Sequence, residues 1–213
     1  QIANIFRHKS AKITEVNIEL VKHGIAWARE NLDFQFNIES VQPEEERVVM
    51  NGNQAAALGA IAAGMEICAM YPITPATSVS HELSDVFESY GGMVHQAEDE
   101  IAAVSSTIGA AFAGHLAVTV SSGPGFVLKQ EALGLAVMTE LPLVAINVQR
   151  AGPSTGSPTK TEQGDLLAVL HGRHSQSPIP VIAASTPGDC FHTALEAFRM
   201  AVKYMTPVIV LSD

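Results

Sequence analysis

"LAVTVSSGPGFVLKQEALGLAVMTELPLVAINVQR", residues 116–150, decides the fold. It contains two short runs rich in β-branched and aliphatic residues, "LAVTVS" (116–121) and "LVAINVQ" (143–149), separated by the helical stretch "KQEALGLAVMTE". Neither run alternates apolar with polar residues, as a strand with one wet face would; continuous apolar runs are the mark of strands covered on both sides. The same grammar extends outward in both directions. Further runs lie at 47–51 ("RVVMN"), 66–70 ("EICAM"), 92–97 ("GMVHQA"), 179–184 ("IPVIAA") and 207–212 ("PVIVLS"), and helical stretches such as "NQAAALGAIAAG", "SVSHELSDVFESY" and "GDCFHTALEAFRMAVKY" fall between most of them. Strands alternating with helices in this way specify an α/β/α arrangement around a mainly parallel sheet.

Upstream the pattern differs. Residues 10–32 read as one amphipathic helix, with Ile13, Val16, Ile18, Leu20, Val21 and Ile25 at mostly helical spacing. The polar, acidic segment that follows, with Pro43, reads as a linker. The expected division is therefore a helical segment and linker over 1–46 and an α/β domain over 47–213.

Composition narrows the function. A chain of 213 residues with 47% hydrophobic and 16% charged residues can bury a large core. A formal charge of -10 and no Lys/Arg run argue against a nucleic-acid surface. No apolar stretch is long enough to span a bilayer, and "QIANIFRHKSAK" lacks the apolar core of a signal peptide, so the expected location is the cytoplasm, away from membranes. The two cysteines, Cys68 and Cys190, read as reduced core residues and are too few for an iron-sulfur cluster.

The stretch "HQAEDEIAAVSSTIGAAFAG" (95–114) opens an apolar helix with Glu98, Asp99 and Glu100. Carboxylates suit a helix N-terminus, which explains the first two. On a helical wheel Glu98 and Asp99 fall with Ser105, Ser106, Gly109 and Ala113, the face expected to point outward. Glu100 falls on the seam between the aliphatic stripe Ile101, Val104, Ile108 and Phe112 and the small residues Ala103, Thr107, Ala110, Ala111 and Gly114. A carboxylate there needs a hydrogen-bonding partner to offset its desolvation.

In parallel α/β folds ligands bind beyond the carboxyl ends of the strands. The loops expected there are "NGNQ" (51–54), "YPITPATS" (71–78), "AEDE" (97–100), "SSGPGF" (121–126) and "RAGPSTGSPTKTEQGD" (150–165). "SSGPG" lacks the first glycine of a nucleophile elbow, so Ser122 is not read as a hydrolase nucleophile. Neither a dinucleotide fingerprint nor a P-loop follows any strand. His171 and His174 read as loop contacts, and no metal site is expected. Arg150, at the end of a very apolar strand, leaves two readings open, a structural salt bridge and a forked site for a substrate carboxylate.

Five motifs, "YPITP" (71–75), "EDE" (98–100), "SGPG" (122–125), "RAGPSTG" (150–156) and "PTKTEQGDL" (158–166), occur in an order that resembles the alpha subunits of 2-oxoacid:ferredoxin oxidoreductases, over roughly residues 47–213. The opening residues also resemble the tail of the gamma domain that precedes this module in fused alpha subunits, so the chain is expected to be an excised piece of a longer subunit. The resemblance implies a thiamine diphosphate fold and the pyrimidine-binding module of such an enzyme. It gives Glu100 the part of proton partner to the cofactor's aminopyrimidine ring, and assigns Thr74 and Arg150 to the oxo and carboxylate groups of the substrate. It places Pro72, Ile73, Thr74, Ser122, Gly123, Pro124 and Gly125 beside the cofactor. It implies oxidative decarboxylation of a 2-oxoacid to acyl-CoA and CO₂, with ferredoxin as acceptor, and leans to 2-oxoglutarate. It also implies a beta subunit holding the diphosphate and Mg²⁺, iron-sulfur clusters outside this chain, and a hetero-oligomer such as a dimer of alpha-beta units. Two alternatives stay open: a thiamine diphosphate enzyme of decarboxylase or transketolase type, and a non-catalytic assembly module.

Overall fold

The computed structural model describes all residues except 1, 35, 37 and 40–43. It divides into two compact units, 1–47 and 48–213. Residues 35, 37 and 40–43, Pro43 among them, belong to the segment read as a linker and lie outside the described residues.

The first unit holds a short helix α1 (Ile2–Ile5) and the long helix α2 (Ala11–Asn31). The periodicity of the sequence predicts α2 to within a residue at each end. Its apolar residues Val16, Leu20, Val21, Ile25 and Trp27 all remain exposed, so helical spacing here makes a face without filling a core.

The second unit carries α3 (Gly52–Ala62), β1 (Ile67–Met70), α4 (Thr77–Val86), β2 (Met93–Gln96), α5 (Glu100–Phe112), β3 (Ala117–Ser121), α6 (Gly123–Val127) and α7 (Gln130–Met138). These are followed by β4 (Leu143–Val148), α8 (Leu166–His171), β5 (Val181–Ala183), α9 (Pro187–Tyr204) and β6 (Val208–Ser212). The six strands form one sheet in the order β2-β1-β3-β4-β6-β5, every pair parallel.

Central strands β3 and β4 are buried along their whole length, which is why their sequences are apolar throughout. Alternate side chains serve opposite layers. Val118, Val120, Val144, Ile146 and Val210 pack with Val79 and Leu83 of α4, Phe198 of α9 and Ala57 and Ala60 of α3. Leu143, Ala145, Ile209 and Leu211 pack on the other face with Val104 of α5, Phe126 of α6, Leu133 of α7 and Val169 of α8. This is the three-layer α/β/α arrangement read from the sequence. Among the described residues no helix is long and apolar enough to cross a membrane.

Three expectations need correction. The run at 47–51 is not a strand: Arg47–Met50 have no regular structure, Val48 and Val49 are exposed, and Asn51 caps α3 through a reciprocal pair of bonds with Gln54. An apolar run without a neighbouring strand has nothing to pair with. On α5, the aliphatic stripe is buried only at Val104, with Ile108 partly packed against the core. Ile101 and Phe112 are exposed, whereas Glu100, Ala103, Val104, Thr107, Ala110 and Ala111 are buried, because small side chains let this helix lie close to the sheet. The third correction concerns "SGPGF", which reads as a loop but begins a short helix, α6, with Ser122 as its first flanking residue and Pro124 in its first turn, where proline is well tolerated.

Candidate functional site

Strand order and layer assignment together locate a crevice. The connection after β1 runs to α4 on one face, and the connection after the adjacent β3 runs to α6 on the other. Neighbouring strands whose connections diverge to opposite faces leave an opening beyond their carboxyl ends, the usual ligand position in such sheets. "YPITP" leaves β1 there, "SGPG" leaves β3, and α5 starts beside them with Glu100.

Glu98 and Asp99 are exposed and Asp99 caps α5, its carboxylate accepting from the Ala102 amide at 2.8 Å. Glu100 is only 8% exposed. Among the described residues no donor reaches its carboxylate; its one contact of this kind is through the main-chain carbonyl. Gly125 of α6 makes room for it. A Cβ on Gly125 would stand 2.6 Å from Glu100 Oε1, 3.0 Å from its Cγ and 2.5 Å from Ser121 Oγ. The Ser121 and Ser122 hydroxyls are buried without partners among the described residues. A buried carboxylate lacking a donor and two hydroxyls without partners among the described residues leave hydrogen-bonding capacity that suits a flat, polar ring system. That is the kind of partner Glu100 requires.

Beneath Glu100 lies a residue that the sequence reading missed. Lys129, between α6 and α7, is fully buried, and its ammonium donates to the Glu100 carbonyl at 3.1 Å and to Thr119 Oγ1 of β3 at 3.0 Å. Burial pushes its pKa down to about 8, with the charge of Glu100 the largest opposing influence. Burial pushes the neighbouring Cys68 thiol up to about 12, opposed by Lys129. A lone lysine in "FVLKQEALG" was the only signal available.

Arg150 reaches across the end of β3. It is 8% exposed and donates from Nη1 to the Thr74 carbonyl at 2.8 Å and from Nη2 to the Thr155 carbonyl at 2.6 Å. Its Nε is buried without a partner, and no carboxylate pairs with it among the described residues, so the salt-bridge reading is not what the structure contains. Thr74 contributes its carbonyl to this contact while its side chain is exposed; Pro72 is also exposed and Ile73 is half-buried against the core. The loop after Arg150 is bonded to itself. Gly156, at a φ of +56°, sits where a Cβ would collide with the Ala151 carbonyl, so only glycine fits.

A cavity of about 430 Å³ opens between this loop and α6, lined by Gly123, Pro124, Val127, Arg150, the segment Gly152–Thr155, and Asp165. Asp165 is fixed by Asn147 Nδ2, which donates to its carboxylate at 2.9 Å, and by Gln149 Oε1, which accepts from its amide at 3.0 Å. The structure thus gathers Glu100, Ser122, Gly123, Pro124, Gly125, Arg150 and the main chain of Thr74 at one sheet edge. Lys129, Thr119, Asn147, Gln149 and Asp165 join them unforeseen. Among the described residues no three His, Cys, Asp or Glu side chains are grouped so that they could hold a metal ion.

Comparison with known proteins is specific. Residues 58–213 match the family described as pyruvate flavodoxin/ferredoxin oxidoreductase, thiamine diP-bdg. The chain is 48% identical to a 2-oxoglutarate oxidoreductase subunit KorA of Mycobacterium tuberculosis, over 96% of this chain and 32% of that protein. It is also 48% identical to a 2-oxoglutarate synthase subunit KorA of Archaeoglobus fulgidus, over 79% of this chain and 49% of that one. Among solved structures, a 2-oxoglutarate:ferredoxin oxidoreductase from Magnetococcus marinus, with 2-oxoglutarate, coenzyme A and succinyl-CoA bound, superposes with a TM-score of 0.88 at 40% identity. That match covers 100% of this chain and 37% of the other. The chain spans about a third to a half of the length of these relatives.

Proposed function

Because the chain belongs to the pyruvate flavodoxin/ferredoxin oxidoreductase thiamine diphosphate-binding family, we propose that it is the part of an alpha subunit that meets the aminopyrimidine end of thiamine diphosphate. The assembled enzyme would oxidise a 2-oxoacid to acyl-CoA and CO₂ and pass the electrons to ferredoxin. The observation that carries this reading is the Glu100 carboxylate, buried, given no donor by its own chain among the described residues, and lodged against Gly125. The names of both KorA relatives and the 2-oxoglutarate bound in the similar solved structure support 2-oxoglutarate as the acid.

Thiamine diphosphate, when bound, supplies the carbon nucleophile for the 2-oxo group and a sink for the electrons left by loss of CO₂. Glu100 then holds and exchanges a proton at the pyrimidine ring nitrogen, general acid-base work delivered through the cofactor. Gly125 and the turn begun by Ser122, Gly123 and Pro124 give the ring close backbone approach. Thr74, Pro72 and Ile73 line the same edge from β1, with Thr74 and Arg150 facing the oxo and carboxylate groups of the substrate. Arg150 lines the cavity and brings it a positive charge, with Nη1 and Nη2 held by the Thr74 and Thr155 carbonyls. The diphosphate, its Mg²⁺ and the iron-sulfur clusters belong on this reading to other parts of the assembly, the diphosphate and metal to a beta subunit. Residues 1–46 belong to the end of a gamma-type domain.

The test is turnover of a panel of 2-oxoacids by the chain assembled with its beta partner, using a viologen dye as acceptor, together with proton-deuterium exchange at the thiazolium carbon. Glu100→Gln removes a buried charge with an almost isosteric amide. It should still fold, at some cost in stability because Lys129 loses its opposing charge, while exchange falls ~10²- to 10⁴-fold, the range for loss of a positioned acid-base group. Normal exchange in this variant would take Glu100 out of the mechanism.

A further inference from the structure

Lys129 has no part in the reading so far, yet it is fully buried beneath the first turn of α5. A buried ammonium is costly, and a methionine would fill the same space without that cost. No carboxylate lies at ion-pair distance from it among the described residues; both of its acceptors, the Glu100 carbonyl and the Thr119 hydroxyl, are uncharged. Two neutral acceptors do not explain a cation. What faces it does: the charge of Glu100 first and, most weakly, that of Asp99, both from α5, while the Cys68 thiol of β1 beside them is kept neutral by burial.

The manner of attachment is informative. Lys129 grips Glu100 by its main-chain carbonyl, which leaves both carboxylate oxygens free for a donor from elsewhere. It ties that same carbonyl to Thr119 on β3, so the glutamate is referenced to a central strand that is buried along its whole length. A direct lysine-carboxylate pair would have occupied the very atoms that a ligand must reach.

We infer that Lys129 is a positioning residue for Glu100, anchoring its main chain to β3 through Thr119 and supplying the buried positive charge opposite it, and so fixing where the carboxylate meets the pyrimidine ring nitrogen. This inference rests on the reading of Glu100 given above. Its consequence is a selectivity that binding alone can measure. The intact site should prefer thiamine diphosphate to the analogue whose pyrimidine ring nitrogen is replaced by CH, because only the former offers Glu100 its contact.

The experiment is calorimetric titration of both compounds into the chain assembled with its beta partner, for the wild type and for Glu100→Ala, Lys129→Met and Thr119→Val. Glu100→Ala should abolish the preference. Lys129→Met should reduce it by about tenfold or more, the value of one hydrogen bond to a charged group, while leaving affinity for the analogue unchanged. Thr119→Val should reduce it in the same sense and by less, and it serves if Lys129→Met does not fold. Equal weakening of both compounds in Lys129→Met and Thr119→Val would show a purely structural lysine and overturn the inference. A preference that survives Glu100→Ala would instead overturn the reading of Glu100 itself.

Discussion

Gly125→Ala adds a single methyl at the closest approach in the site. Its Cβ would lie 2.6 Å from Glu100 Oε1, about 0.7 Å inside the ~3.3 Å at which carbon and oxygen ordinarily meet. Ser121 Oγ, at 2.5 Å, can rotate away because it has no hydrogen bond to lose. The carboxylate has less freedom, since Lys129 and the helix hold its main chain. Overpacking of this kind costs about 1–3 kcal/mol, and replacing a helical glycine by alanine returns up to ~1 kcal/mol, so the net destabilisation should be roughly 0–3 kcal/mol. Catalysis should suffer more, because displacing a reacting group by about 1 Å can cost ~10²-fold. Thermal unfolding measures the first quantity, and proton-deuterium exchange at the thiazolium carbon in the assembled enzyme measures the second. Gly123→Ala is the comparison: its Cβ would meet Asp165 Oδ2 at 3.3 Å, a milder contact that does not touch Glu100. The stability cost of Gly125→Ala should also shrink in a Glu100→Ala background, a coupling that a double-mutant cycle isolates. Wild-type exchange in Gly125→Ala, or an unchanged cost in that background, would refute the packing argument.

Arg150→Lys keeps the charge but cannot bridge the carbonyls of Thr74 and Thr155, so it should lose about 1–2 kcal/mol of stability and, if the guanidinium also meets the substrate carboxylate, raise KM by more than that loss explains; steady-state kinetics with an unchanged KM would restrict Arg150 to holding the two loops. Lys129 also predicts a pH dependence of folding. Its fall from 10.5 to about 8 corresponds to roughly 3 kcal/mol against the charged form. Below pH ~8 both folded and unfolded chains carry the proton and the folded state bears this whole cost; between ~8 and ~10.5 only the unfolded chain stays protonated, so stability rises with pH. Denaturant unfolding should therefore show the wild type gaining roughly 3 kcal/mol on Lys129→Met between pH ~7 and ~10.5, and a constant difference would mean that no buried ammonium is present.

The sequence made the strands legible because β3, β4 and β6 are covered on both sides, and their continuous apolar runs have few other uses. The same signal failed at 47–51, since an apolar run does not reveal whether a neighbouring strand exists to receive it. Glu100 could be singled out because helical phase separates it from Glu98 and Asp99, yet the wheel did not show that Ile101 and Phe112 would stay exposed while the small residues beside them are buried. The depth to which small residues let α5 settle on the sheet is a property of the assembled layers. Lys129 was invisible for a related reason. An isolated lysine in a helical pattern resembles a solvated one until Thr119 and the carbonyl of Glu100 are brought around it. Arg150 stood out by position, but its bond to Thr74 joins residues 76 apart in the chain, a pairing that no local pattern encodes.

The reach of Arg150 over the end of β3 bears on how such a site can diversify. The segments that follow β1 and β4 are welded through the Thr74 carbonyl, so they behave as one hereditary block although the whole of β2, α5 and β3 separates them in the gene. A crossover between positions 76 and 149 would pair an arginine with a foreign β1 segment and strand the Nη1 donor unless the incoming backbone presented a carbonyl at the same point. Natural drift and laboratory shuffling should therefore vary residues at the rim of the cavity, such as Ser154 or Val127, before they alter the clasp that supports it.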